Sequence, residues 1–213
     1  MKTIITILLT AIATTVFSSN YEEVMKTNID KMYKSTSSVE LQILANQFER
    51  IANAEKDKWL PGYYAAYCFT SSIFFDEMET DDKHKQLDKA QAIIENLLKK
   101  HNEESEIYAL QALVYQLRIT DMSKGYKYST LSAKAIDEAE RLNSDNPRVY
   151  YLRGSNTFHT PKMFGGGPAK AKPHLEKALE MFETQKPECE LAPTWGKEHN
   201  NQLLNQCNVE EKE

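Results

Sequence analysis

Apolar residues recur along this chain at intervals of three and four positions rather than at every second position. In the stretch SSVELQILANQFERIANAE, the apolar side chains of Leu41, Leu44 and Phe48 share one helical face. Such spacing is typical of an amphipathic α-helix. Ser37 and Glu40 form a capping box at its beginning. The pattern predicts an all-α protein that needs no strand.

The same spacing predicts helices over most of the remaining chain. Only seven glycines and seven prolines occur in 213 residues, so long segments are free of helix breakers. Pro173 lies inside one predicted helix, and because proline removes a backbone hydrogen bond, we expect that helix to begin late or to bend. The predicted helices cover Tyr21–Met32, Leu60–Phe75, Asp82–Lys100, Glu104–Leu117, Lys124–Leu142, Pro147–Phe158, Ala169–Phe182 and Thr194–Gln206.

Residues 1–18 have the features of a secretory signal peptide. Lys2 precedes an apolar stretch, and the small residues Val16 and Ser18 suit a cleavage site before Ser19. A membrane span would need about 20 apolar residues, and polar residues follow too soon. We therefore expect a mature protein that is periplasmic or secreted and does not span the membrane.

The predicted helices form a repeat. A triplet of residues at the same internal offsets occurs three times, and its third members lie 42 and 39 residues apart. Each triplet follows a helix in which aromatic residues surround a small one, at Ala66, Ala112 and Gly154. A repeat of this length indicates a solenoid. The triplets are Ala90, Ile94 and Leu97; Ser132, Ile136 and Ala139; and Ala171, Leu175 and Ala178.

This arrangement resembles the tetratricopeptide repeat (TPR) family, whose unit pairs an A helix with a B helix. Tyr108, Ala112 and Tyr115, and then Tyr150 and Gly154, match the A-helix signature, and the triplets match the B helix. The resemblance covers about residues 39–183, although no tryptophan occupies the aromatic A-helix position and the connections are longer. It implies an α-solenoid of about four helical hairpins over residues 19–186, followed by a capping helix and charged tail over 187–213.

The resemblance also implies a binding groove on the concave face, lined by A helices. Its expected function is that of a non-catalytic scaffold that holds a protein or peptide segment in the cell envelope. Tyrosine and arginine concentrate binding energy in interfaces, but tyrosines at helical spacing can equally pack between helices. The A-helix offsets select Tyr63, Tyr67, Leu113, Gln116, Arg148, Tyr151 and Ser155.

The segment FHTPKMFGGGPAKAK contains three consecutive glycines. It lacks the lysine and hydroxyl residue of a phosphate-binding loop, so we predict a turn between two helices, with Pro168 at the first helical position. The segment also resembles a loop in the periplasmic TPR component of tripartite (TRAP) transporters. That likeness implies an alternative function, solute binding as a transport accessory, in the groove or beneath the loop. The residues that match, expected at the groove rim, are Pro161, Phe164, Gly165 and Gly166.

Charge and motifs disfavour other classes of function. The formal net charge is −5, whereas nucleic-acid binding relies on a basic surface. The five histidines form no His-x-x-x-His pair and the cysteines form no Cys-x-x-Cys clip. No Gly-x-Ser-x-Gly nucleophile motif occurs. We therefore predict no enzyme activity, no cofactor, no metal site and no nucleic-acid partner.

The chain contains three cysteines. Cys68 lies in an apolar helix, where it is expected to be buried. Cys189 and Cys207 could close a disulfide loop after export, although spacing alone does not determine pairing.

Overall fold

The computed structural model describes residues 21–210. The predicted signal peptide, residues 1–18, lies outside this range. The described part of the chain is helical and contains no strand, which confirms the all-α prediction. The helices are α1 (residues 21–34), α2 (Ser38–Ala54), α3 (Leu60–Ser72), α4 (Thr80–Leu98), α5 (Ser105–Leu117), α6 (Met122–Leu142), α7 (Pro147–His159), α8 (Pro168–Thr184) and α9 (Lys197–Glu210), with a 3-10 turn at Lys162–Phe164.

Helices α3/α4, α5/α6 and α7/α8 pack in pairs as antiparallel hairpins. Helices α1 and α2, joined by three residues and sharing buried core residues, form the first hairpin. The A helices α3, α5 and α7 contact one another in sequence, and α9 packs against α7 and α8. This stacking is the predicted α-solenoid. Within residues 21–210, no helix is both long and apolar enough to cross a membrane.

The repeated residues lie where paired helices approach closely. Ile94, Ile136 and Leu175, the central members of the three triplets, are buried. Gly154 of α7 lies directly against the last of them, since a Cβ added there would come within 2.5 Å of Leu175 Cδ2. At Gly154, the small residue predicted in this A helix therefore makes room for its B-helix partner.

Helix α8 begins at Pro168, in its first turn as predicted, and continues through Pro173 to Thr184. The expectation that this helix begins late is wrong. Pro173 is the sixth helical residue and its side chain is exposed. The carbonyl that loses its partner, that of Ala169, therefore lies at the protein surface, where water can satisfy it.

Candidate functional site

The connection between α8 and α9, residues 185–196, follows a long path, and we call it the strap. From the end of α8 it runs back to the first hairpin, where Glu190 forms an ion pair with Lys26 of α1 at 3.0 Å. A turn closed by the Ala192 N–H and the Cys189 carbonyl then reverses its direction. The chain returns past the A helices and enters α9 at Lys197.

The returning half of the strap is extended, and its side chains alternate between buried and exposed. Leu191, Pro193 and Trp195 are buried, whereas Ala192 is half-buried and Thr194 is exposed. A period of two is typical of an extended segment with one face against the protein. The strap therefore fills the groove formed by the A helices.

Side chains of the first two A helices hold the strap backbone. The hydroxyl of Tyr64 donates a hydrogen bond to the Leu191 carbonyl at 2.7 Å. The backbone N–H of Thr194 donates to the hydroxyl of Tyr33 at 3.1 Å. Tyr33 lies in α1 and Tyr64 in α3, so two hairpins contribute to this contact.

The indole ring of Trp195 is held by tyrosines from two A helices. Its Nε1–H donates to the hydroxyl of Tyr63 at 2.6 Å. Its ring stacks on Tyr67, with centroids 5.5 Å apart, and meets Tyr151 edge-on at 6.2 Å. Trp195 thus joins α3 to α7 across the groove, and only 7% of its surface is exposed.

Arg148 of α7 is 1% exposed. Its guanidinium forms an ion pair and hydrogen bonds with groups from α5 and the strap. Its Nε and one terminal nitrogen each donate to the Glu106 carboxylate at 2.7 Å, and its guanidinium also donates to the carbonyls of Pro193, at 2.9 Å, and Trp195, at 3.2 Å. Burial acts to lower the pKa of Arg148, but the charge and hydrogen bonds of Glu106 outweigh burial and raise it. Arg148 therefore remains charged and fixes the strap.

Four of the seven predicted groove residues, Tyr63, Tyr67, Arg148 and Tyr151, surround the strap. Their role in binding an external partner stays a prediction. In the structure, however, Tyr63 is 0% exposed and Arg148 is 1% exposed, so neither offers surface while the strap is in place.

The three other predicted groove residues lie away from the strap. The amide of Gln116 donates to Ser132 Oγ at 3.0 Å and to the Leu152 carbonyl at 2.9 Å, which connects three neighbouring helices. Leu113 is a half-buried member of the core, and Ser155 is buried. Their surroundings are those of packing residues.

The cysteines of the suggested disulfide, Cys189 and Cys207, lie in different parts of the structure, and their pairing stays a prediction. Cys189 is exposed at the turn of the strap, near α1. The neighbouring Glu190 pairs with Lys26, which places this turn beside the first hairpin. Burial, with the nearby charge of Glu55, raises the pKa of Tyr21 in the same hairpin to about 12. Cys207 is buried in α9, at the other end of the solenoid. Cys68 is buried, as expected.

A second surface of interest lies where each A helix connects to its B helix, and we call it the A–B edge. All these connections lie on the same edge, because the hairpins are antiparallel and stack in one direction. Large apolar side chains are exposed there, and such groups mark interaction sites when they are contiguous. They are Val39, Phe74, Ile119, Met122, Tyr126, Met163 and Phe164.

The glycine-rich segment forms the A–B connection of the fourth hairpin, as predicted. Gly165 has a φ of 86°, which favours glycine. Gly166 is buried, and a Cβ there would lie 2.2 Å from the Thr160 carbonyl oxygen. This tight turn leaves Pro161 and Phe164 exposed, with Phe164 at 67%.

His199 lies in the first turn of α9, just after the strap, and His159 is the last residue of α7. Nδ1 of His199 is 2.7 Å from the hydroxyl of Tyr151. The protein partly shields His199 from water, which lowers its pKa from the ordinary 6.5, and the nearby charge of His159 lowers it further. The same shielding lowers the pKa of His159. The folded protein therefore disfavours protonation of both rings.

We expect the protein to lose stability as the pH falls below about 6.5. The unfolded chain takes up protons on His159 and His199 at a higher pH than the folded protein does, so acid favours unfolding. The melting temperature, measured between about pH 7.5 and pH 5, should fall. In His199→Gln, which cannot titrate, the fall should be smaller. An equal fall in both proteins would contradict the assignment to His199.

Comparison with known proteins supports the fold. No family model and no curated protein sequence matches the chain. The HusA haemophore from Porphyromonas gingivalis has a similar structure, with a TM-score of 0.79 and 28% sequence identity, covering 91% of this chain and 95% of that one. A thermophilic TPR protein in Thermus thermophilus has a TM-score of 0.63 and 14% identity, covering 90% and 82%. The second similarity confirms a TPR-like fold, while the resemblance to TRAP components stays a prediction.

Proposed function

We propose that this chain is an exported, non-catalytic binding protein that captures a porphyrin such as haem. The observation that carries the proposal is the similarity to the HusA haemophore, which extends over 91% of the chain at 28% identity. The predicted signal peptide at residues 1–18 is compatible with export. The sequence also predicted solute binding as an alternative function, and here that solute is a porphyrin.

The A–B edge offers the kind of surface that such a ligand requires. A porphyrin has a flat apolar ring and carboxylate side chains, so it binds best to apolar side chains with cations nearby. Met122, Tyr126 and Met163 are each more than 80% exposed on this edge. Lys127 and Lys170, on α6 and in the first turn of α8, are exposed as well.

Capture of an external peptide in the concave groove is less well supported. The strap already occupies the groove, and its backbone carbonyls satisfy the guanidinium of Arg148. An external segment would have to displace the buried ring of Trp195 before it could bind.

A haem titration of the mature chain, residues 19–213, tests the proposed function. We expect saturable one-to-one binding with a dissociation constant in the micromolar range or tighter, seen as a shift of the haem absorption band. The matched control is the same chain unfolded in guanidinium, because non-specific adsorption does not depend on the fold. A titration that never saturates, or that is the same in the unfolded chain, would contradict haem capture.

A further inference from the structure

Helix α6 is longer than its neighbour α7, and part of the excess lies at the A–B edge. Helix α6 has 21 residues and α7 has 13. The amide of Asn156, in the last turn of α7, donates to the Ser129 carbonyl of α6 at 3.2 Å. Seven residues of α6 precede Ser129 and three residues of α7 follow Asn156, so the first turn of α6 projects about 6 Å beyond the end of α7.

The projecting turn and the residue that follows it carry apolar side chains that no neighbouring helix covers. Met122 is 84% exposed and Tyr126 is 86% exposed, and their spacing of four places them on one helical face. Beside them, Gly125 borders open space, since an added Cβ would meet no atom within 4 Å. Burying such large apolar side chains would be favourable, and neighbouring exposed apolar side chains of this size indicate an interaction surface.

The loop of the next hairpin, residues 160–167, follows directly after the end of α7, beyond which the first turn of α6 projects. Its 3-10 turn exposes Met163 at 82% and Phe164 at 67%. The buried Gly166 holds the loop tightly against Thr160, so the turn has a defined position. Together, Met122, Tyr126, Met163 and Phe164 form what we call the notch.

We propose that the notch is the porphyrin site, with the ring lying between the side chains of α6 and those of the 3-10 turn. This proposal rests on the proposed function. The notch would recognise the apolar face of the ring. Lys127, next to Tyr126 on α6, and Lys170, in the first turn of α8, are exposed cations available to the ligand's carboxylates. The notch is separate from the concave groove, which the strap fills.

Two double variants test the notch, each titrated with haem as the full mature chain. Met122→Ser with Tyr126→Ser, and separately Met163→Ser with Phe164→Ser, should each weaken haem binding by about tenfold or more, because each removes apolar contact area. All four side chains are exposed, so the melting temperature should change little. The control is Val24→Ser with Val209→Ser, which removes exposed apolar side chains elsewhere and should leave affinity within about twofold of the wild type.

The outcomes separate the two proposals. Saturable binding by the wild type, together with an unchanged affinity in both notch variants, would overturn the notch and leave the proposed function standing. Absence of saturable binding by the wild type would overturn both. If one notch variant melts at a much lower temperature, the other decides the result.

Discussion

Replacing Trp195 by alanine is expected to lower the free energy of unfolding by about 3–5 kcal/mol. The indole ring is 7% exposed and contacts Tyr63, Tyr67 and Tyr151. Its removal leaves a cavity between α3 and α7 and takes away the hydrogen bond from Nε1 to the Tyr63 hydroxyl. Urea unfolding followed by circular dichroism measures the change.

Thr194→Ala is the matched control for Trp195→Ala. Thr194 belongs to the same extended segment, but its side chain is exposed and only its backbone N–H binds Tyr33. This variant should remain within about 0.5 kcal/mol of the wild type. Equal losses in the two variants would show that Trp195 does not hold the strap in the groove.

The strap should also make unfolding more cooperative. In a simple solenoid each repeat contacts only its neighbours, so unfolding can begin at one end. Here the strap connects Lys26 in the first hairpin to Arg148 in the fourth. We therefore expect Trp195→Ala to lower the urea m-value as well, since partly unfolded states become populated.

Arg148→Met is expected to destabilise the protein by about 3–5 kcal/mol, because it leaves the Glu106 carboxylate buried without its partner. The two side chains share two hydrogen bonds of 2.7 Å, and the side chain of Glu106 is 16% exposed. The carbonyls of Pro193 and Trp195 lose their donor at the same time.

A double-mutant cycle with Glu106→Gln isolates the ion pair. If the pair is coupled, the double variant should lose about 0.5–3 kcal/mol less than the sum of the two single variants. The free energies come from urea unfolding at neutral pH. Strictly additive losses would contradict a direct pairing of Arg148 with Glu106.

The helical hairpins could be predicted from the sequence because their signals are local. Spacing of three and four, the cap at Ser37 and the first-turn Pro168 each act within a few residues. The repeat also predicted that Gly154 would lie in a close helix contact, and it packs on Leu175. Periodicity therefore determines most of this fold.

The strap could not be predicted, because its signal is short and its partners are distant in sequence. Only Leu191, Pro193 and Trp195 alternate, too few residues to distinguish an extended segment from a loop. Tyr64, which binds the Leu191 carbonyl, lies 127 positions away. The helix predicted over Thr194–Gln206 begins instead at Lys197, because Trp195 belongs to the extended strap and packs against the A helices.

The candidate site was predictable only in part. Tyr63, Tyr67, Arg148 and Tyr151, selected by the repeat register, contact the strap. The spacing of a tyrosine along a helix does not show whether its neighbour is a ligand or another part of the chain. The exposure of Met122 follows from the different lengths of two packed helices, which a sequence pattern does not reveal.

The concave groove and the A–B edge are therefore two separate surfaces of the structure. The groove is filled by the chain, and its tyrosines and Arg148 contribute stability. The A–B edge remains open and presents apolar side chains to solvent. The central claim is that a ligand binds at this edge while the strap stays in the groove.

Nuclear magnetic resonance of the isotope-labelled mature chain with haem tests that claim most directly. The claim predicts that haem changes the amide signals of residues 122–126 and 159–166, and leaves the indole N–H signal of Trp195, bound to Tyr63, unchanged. A shift of the Trp195 indole signal, with the signals of residues 122–126 and 159–166 unaffected, would contradict it and place the ligand in the groove.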